Sequence, residues 1–147
     1  VEITLPEVSQ SLILTRLEGG RTPMPPRESV REFAAHGTTM ALYLSAARSH
    51  TLQQELLAGG YPPDTPVIIG HQVTWPDEVM VRCRLDQLAA TMKEHKFWKH
   101  TVILVGPALA ETPLAKRSHL YHPGFRHEYR DADPVAAREL AEKGAQA

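Results

Sequence analysis

Four groups of residues in this sequence could do chemistry. His119, His122 and His127 lie close together, and neighbouring imidazoles are a common start of a metal site. Their spacing, with two and then four residues intervening around Pro123-Gly124, matches no standard zinc pattern, so the sequence predicts no metal centre. Surface or capping roles account for these rings, with one free to face a ligand. Arg16, Arg21 and Arg27 flank or occupy a Gly/Pro-rich segment, where guanidinium groups could grip carboxylates or phosphates through paired hydrogen bonds. The alternative is a solvated loop with scattered charge. Trp75, in Val73-Thr74-Trp75-Pro76-Asp77, reads as a packing anchor rather than a ligand platform. Finally, Tyr43-Leu44-Ser45-Ala46 ends a strand and enters a helix. Ligands of open α/β sheets sit outside the carboxyl ends of strands, so the ends near Leu44, Gly70 and Gly106 form the candidate pocket rim. The sequence contains no G-x-G-x-x-G, P-loop, H-E-x-x-H or G-x-S-x-G signature.

Short runs rich in Val, Ile, Leu or Tyr predict the elements that must position these residues: strands at Ser11–Arg16, Met40–Leu44, Pro66–Ile69, Glu78–Leu85 and Thr101–Val105. Between them, helical spacing predicts Glu28–His36, with Val30, Phe33 and Ala34 inward and Gly37 as its stop. It also predicts Ser49–Ala58, with Leu52, Leu56 and Leu57 inward and Gly59-Gly60 as its stop. A third helix, capped by Asp86 and running to about His95, carries Leu85, Leu88, Ala89 and Met92 on one stripe. This order predicts an α/β fold: a five-stranded mixed sheet, helices on both faces, and strands 66–69 and 78–85 paired antiparallel through Thr74-Trp75-Pro76-Asp77. Gly19–Arg27, with its prolines and glycines, must be a loop. Pro134–Ala147 predicts an Ala/Glu-rich terminal helix.

Composition sets the class. The 147 residues carry 16 Lys+Arg against 17 Asp+Glu, and 42% are hydrophobic, which excludes disorder and collagen-like order. Size scaling predicts that roughly two-thirds of the unfolded surface is buried, enough for one core. A formal net charge of -1 gives no field for drawing in nucleic acid or an anionic membrane, so an anionic ligand must be held by local clusters. The single cysteine, Cys83, excludes an intramolecular disulfide framework and is expected to fill space; with no apolar run long enough to cross a bilayer, the reading is cytoplasmic. The chain opens on Val1 without an initiator Met, which predicts a piece of a longer protein.

Several segments together resemble the precorrin-4 C11-methyltransferases of the tetrapyrrole methylase family. They are Leu5-Pro6-Glu7-Val8-Ser9-Gln10, Gly20-Arg21-Thr22-Pro23, Ala41-Leu42-Tyr43-Leu44-Ser45-Ala46, Asp64-Thr65-Pro66-Val67, Thr74-Trp75-Pro76-Asp77-Glu78 and Arg117-Ser118-His119-Leu120-Tyr121. Segments 41–46 and 64–67 are similar to the wider family, and Leu5–Gln10, Gly20–Pro23 and Arg117–Tyr121 to the C11 enzymes. The likeness extends to about Arg130 and implies the C-terminal domain only: residues 1–130 as that domain, 131–147 as a helical or frayed tail, and the N-terminal domain with its glycine-rich cofactor loop outside this chain.

The resemblance implies S-adenosylmethionine in a cleft between two domains, with S-adenosylhomocysteine as product and a carboxylate-rich corrin precursor, precorrin-4 or its cobalt-containing counterpart, as substrate. Leu44 stands where many members place a Met beside the adenine. Val73 stands where a small residue faces the cofactor; it is bulkier than the usual Ala or Gly, which leaves its backbone as the contacting part. Pro107, Ala108 and Leu109 resemble the next backbone contact to the adenosyl group. Arg16 and Arg21 are the substrate-side candidates, and Arg16 could equally stitch two domains together. No catalytic dyad is expected, because a sulfonium is already an activated methyl donor and the protein has chiefly to align and dry the site. A homodimer is implied. The alternatives are another tetrapyrrole methylase, such as one acting on uroporphyrinogen, an rRNA-methylating relative, against which the neutral charge weighs, and a non-catalytic association module.

Overall fold

Two-residue alternation organises the chain into a sheet, and the register of that sheet decides which side chains meet. The computed structural model describes residues 2–111 and 133–144; His119, His122, His127 and the segment Arg117–Tyr121 lie outside them. The chain forms two compact units, Val1–Glu111 and Thr112–Ala147, whereas the sequence reading divides it after residue 130.

In the first unit, strands β1 (Leu12–Arg16), β2 (Thr39–Tyr43), β3 (Pro66–His71), β4 (Val79–Arg84) and β5 (Thr101–Val105) make one five-stranded sheet in the order β1-β2-β5-β3-β4. β1 and β2 are parallel, while β5 runs antiparallel between β2 and β3, and β4 pairs antiparallel with β3. The sheet is therefore mixed, as its sequence predicts, and each strand falls within two residues of its expected bounds.

Alternate residues face the helices α1 (Val30–Ala34), α2 (Ser49–Ala58) and α3 (Leu88–Glu94). Met40, Leu42, Val67, Ile69, Ile103 and Val105 join Val30, Ala34, Leu52, Leu56, Leu88 and Met92 in one buried cluster, with the half-buried Cys83 packed against it. The helical stripes read from sequence are thus the core-facing ones. The other sheet face corrects the expected layering. It carries Leu14, Tyr43 and Met80, all substantially exposed, and the described helices of this unit do not cover it. The 3-10 turn Pro107–Leu109 is buried outside the main cluster, with Arg82 Nη1 donating to the Leu109 carbonyl at 3.0 Å. Arg82 pairs with Ile68 on this second face, so a turn rather than a helix lies there.

Helix ends follow local chemistry. Ser29 caps α1 by accepting from Glu32 N–H at 3.2 Å, and Gly37, at φ 62, closes its C-terminal turn. A Cβ at Gly59 would stand 2.5 Å from the Arg31 carbonyl oxygen, so only glycine lets the end of α2 meet α1 this closely. Arg31 and Glu55 clasp the same two helices through paired hydrogen bonds of 3.1 and 2.8 Å. Asp86 does not cap α3. A 3-10 turn, Leu85–Gln87, intervenes, and the Asp86 carboxylate accepts both Arg84 Nε and Nη2 at 3.1 and 2.6 Å. The free N–H of Ala89 in the first turn is met instead by Gln53 Oε1 of α2 at 2.8 Å, a tertiary cap that local sequence does not reveal. The segment after β1 is a loop, closed by reciprocal Gly19–Thr22 backbone hydrogen bonds of 3.3 and 3.1 Å.

The second unit contributes α4 (Pro134–Gly144). Asp133 Oδ1 accepts from Val135 and Ala136 N–H at 2.9 and 3.0 Å, with Pro134 at the position whose N–H would have no helical partner.

Tyr61, next to Gly60, is 4% exposed and donates its hydroxyl to the Thr38 carbonyl at the amino end of β2. Burial pushes its pKa up from 10.0 to about 12. A folded value above the unfolded one means that stability is whole below pH 10 and falls as pH rises towards 12. Tyr61→Phe is expected to lose about 1 kcal/mol at neutral pH and to flatten this alkaline loss. Urea unfolding of both proteins at neutral pH and near pH 12 checks it; parallel pH slopes would refute the assignment.

Candidate functional site

Strand direction gathers one edge of the sheet. Because β5 opposes β2 and β3, the carboxyl ends of β1, β2 and β3 share an edge with the amino ends of β4 and β5. Arg16 is in register with Tyr43, and His71 with Thr101. The edge therefore brings together Arg16, Leu44, the segment His71–Val73 and His100-Thr101.

The backbone is most strained along this edge. Among the described residues, seven non-glycine residues have positive φ, and four of them lie here: Leu44 at 52°, Gln72 at 49°, Thr74 at 72° and His100 at 52°. Each such conformation costs on the order of 1 kcal/mol or more, and clustering at one place is characteristic of ligand sites. The surroundings enforce it. Ser45, 2% exposed, accepts from Leu17 N–H at 2.8 Å and donates to the Tyr43 carbonyl at 2.8 Å, fixing the turn that leaves Leu44 83% exposed. Gln72 N–H donates to the His100 carbonyl at 2.8 Å, tying the end of β3 to the start of β5. Thr101 Oγ1 donates to the Lys99 carbonyl at 2.9 Å, so it accepts from His71 Nδ1 at 3.0 Å and sets that ring's tautomer. The His71 ring stacks on Phe97 at 4.5 Å.

Val73 folds back over the sheet. A Cβ added to Gly70 would meet Val73 Cγ2 at 2.7 Å, with Met80 Sδ and Val102 Cγ1 at 3.2 and 3.3 Å. Gly70 is thus the clearance that lets Val73 close over β3 and present an apolar, half-exposed surface. Beside Leu44 lies a cavity of about 260 Å³ lined by Arg16, Leu17, Glu18, Gly19, Thr22, Leu44, Ser45 and Arg48. Arg16 Nη1 donates to the carbonyls of Leu17 and Thr22, both at 3.3 Å, and Arg48 donates to the Glu18 carbonyl. Both guanidinium groups therefore shape the loop around the cavity. The Nε and Nη2 groups of Arg16 make no hydrogen bond among the described residues.

Of the residues singled out from sequence, Arg16 and Leu44 meet in one cavity, and Val73 lies on the same edge. Arg21 is exposed, does not line this cavity, and makes no hydrogen bond or ion pair among the described residues. Pro107, Ala108 and Leu109 are not brought to this edge. Gly106 N–H donates to the Pro66 carbonyl at 3.2 Å, and a Cβ there would be 2.9 Å from Thr39 Cα. These contacts place the turn at the amino ends of β2 and β3, so the expected rim of Leu44, Gly70 and Gly106 is corrected: the reversed direction of β5 puts its amino end, His100-Thr101, on the shared edge and Gly106 at the opposite one. His100 and Thr101 carry no sequence motif of their own, and Ser45, within the family-like segment 41–46, has no role read from it; their roles follow from strand direction and backbone strain. Among the described residues, no three His, Cys, Asp or Glu side chains form a group able to hold a metal ion. Burial pushes the Cys83 thiol up, and it lies on β4 away from this cavity.

Comparison with known proteins identifies the family. The profile of the Tetrapyrrole (Corrin/Porphyrin) Methylases matches residues 1–89. The chain is 44% identical over 130 residues to a cobalt-precorrin-4 C(11)-methyltransferase of Methanocaldococcus jannaschii, covering 88% of this chain and 49% of the relative. The solved structure of a cobalt precorrin-4 methyltransferase superposes with a TM-score of 0.71 at 39% identity, covering 74% of this chain and 45% of the other. A uroporphyrin-III C-methyltransferase from Thermus thermophilus, solved in complex with S-adenosyl homocysteine, shares the fold with a TM-score of 0.60 at 19% identity, covering 74% of this chain and 47% of the other. The chain thus spans about half the length of the relatives it matches.

Replacing Ser45 with Ala strands a buried N–H and frees the turn below Leu44. We expect unfolding free energy in urea to fall by about 1–3 kcal/mol, and a change within error would show that Ser45 does not hold the edge.

Proposed function

Since the chain belongs to the tetrapyrrole (corrin/porphyrin) methylase family, we propose that it forms the C-terminal half of an S-adenosylmethionine-dependent methyltransferase that alkylates C11 of precorrin-4 or its cobalt-containing counterpart, in cobalamin biosynthesis and in the cytoplasm. The observation that carries this reading is the 44% identity to a cobalt-precorrin-4 C(11)-methyltransferase over 88% of the chain.

The residues at the sheet edge fit such a cofactor. Leu44 is held almost fully exposed by Ser45, and Val73 is packed over Gly70 beside it on the edge. Together they offer apolar surface of the kind that grips an adenine ring, next to the backbone of His100 and Thr101. When bound, the cofactor supplies a methyl group already activated on a sulfonium. Arg16, with Nη1 anchored in the loop and its other N–H groups unengaged among the described residues, is positioned to hold a substrate carboxylate by a charge-assisted hydrogen bond. Arg21, extended from the same loop, would take a second acid group. Alignment and exclusion of water do the remaining work in this chemistry.

The exposed Leu14, Tyr43 and Met80, on the sheet face that α1–α3 leave open, favour a second property, association through this face with another copy in a homodimer or with the remaining half of the protein. Sedimentation of the chain is expected to give a concentration-dependent dimer, and a monomer throughout would remove self-association.

Titration with S-adenosylhomocysteine by calorimetry tests the cofactor site. One saturable site is expected, with affinity about tenfold lower in Leu44→Ala. Wild-type chain giving no saturable heat, or Leu44→Ala binding as tightly as wild type, would overturn the placement.

A further inference from the structure

Trp75 differs from a packing anchor in one respect: it is 51% exposed. The ring leans on His100 with centroids 5.2 Å apart and planes at 39°, which leaves much of the indole open. The turn beneath it is heavily braced. Trp75 N–H donates to the Gln72 carbonyl at 2.9 Å, Glu78 N–H to the Trp75 carbonyl at 3.1 Å, and Thr74 N–H to Glu78 Oε2 at 2.6 Å. Gln72 and Thr74 keep positive φ within this network, and for a β-branched residue such as Thr74 that conformation is costly. An aromatic ring displayed on a strained turn held by these three hydrogen bonds is pre-organised to receive a flat partner.

We propose that Trp75, backed by His100, is a stacking platform for the tetrapyrrole macrocycle, and so a substrate-binding and specificity-determining residue; this rests on the methyltransferase reading above. The platform stands on the same edge as Leu44, Val73 and Arg16, and Lys99, adjoining His100, is exposed. The π-face of the indole complements a conjugated ring, and the exposed Lys99, set against the neighbouring carboxylates of Asp77 and Glu78, is the cation adjoining His100 in sequence that could meet an acid group of that ring. The smaller aliphatic surfaces of Leu44 and Val73 suit the adenosyl group, which leaves the indole to the larger ligand.

Trp98 provides an internal control. It is 52% exposed and stacks on no ring among the described residues, so an effect of generic aromatic adhesion would appear there equally. Uroporphyrin III, a planar octacarboxylate, serves as the probe, followed by the shift of its visible absorption, with S-adenosylhomocysteine affinity measured on the same proteins by calorimetry. Trp75→Ala is expected to weaken porphyrin binding about tenfold or more, while Trp75→Phe restores most of it and Trp98→Ala leaves it unchanged. S-adenosylhomocysteine affinity is expected to be equal in all of them. Unchanged porphyrin binding in Trp75→Ala overturns the proposal, as does an equal loss in Trp98→Ala. A parallel loss of S-adenosylhomocysteine affinity in Trp75→Ala also overturns it, by assigning the ring to the adenosyl group. Wild-type chain that binds S-adenosylhomocysteine but no porphyrin overturns the platform while the cofactor site stands, whereas wild-type chain that binds neither ligand overturns the cofactor placement together with the platform.

Discussion

The antiparallel insertion of β5 between β2 and β3 is the constraint on which the rest of this unit depends. β2 and β3 run in the same direction but do not pair, and the strand-wide gap between them is filled by β5, the last of the described strands in sequence. Every hydrogen bond of that central position is made only when the chain has returned from α3. The same insertion sets the composition of the functional edge, because it brings the amino end of β5 beside the carboxyl ends of its two neighbours.

Layering follows from register. On the side facing α1–α3, Met40, Leu42, Ile69, Ile103 and their neighbours are wholly buried, and burial of each such side chain is worth about 1.5–3 kcal/mol. The side chains between them point to the opposite face, where Ile68 is buried yet Leu14 and Tyr43 are open to solvent. Such a sheet has one closed face and one that leaves apolar side chains exposed, and the chain spans about half the length of the relatives it matches.

Strain and stability are separated in space. The core is built of buried aliphatic contacts, whereas the unfavourable backbone conformations at Leu44, Gln72, Thr74 and His100 sit at one edge. They are held by Ser45, the Gln72–His100 hydrogen bond and the Glu78 carboxylate. The core tolerates this cost because the strained residues contribute little to it, and the edge gains surfaces that are presented rather than packed away.

Local pattern specifies the elements: alternating apolar residues mark five strands, the stripes Leu52-Leu56 and Leu88-Met92 mark the buried helix faces, and the prolines and glycines of residues 19–27 mark the loop. Local periodicity suffices there, because an element must bury the face its own side chains define. The family was legible too, in segments such as Leu5–Gln10 and Gly20–Pro23. Only the tertiary structure decided that the helices share one face, that Gln53 rather than Asp86 satisfies the first turn of α3, and that Pro107–Leu109 lies away from Leu44. It also decided that Trp75 stands open on His100 instead of being buried. Each of these depends on strand direction, on a contact between residues distant in sequence, or on the sign of a backbone angle, and none leaves a periodic trace in a linear chain.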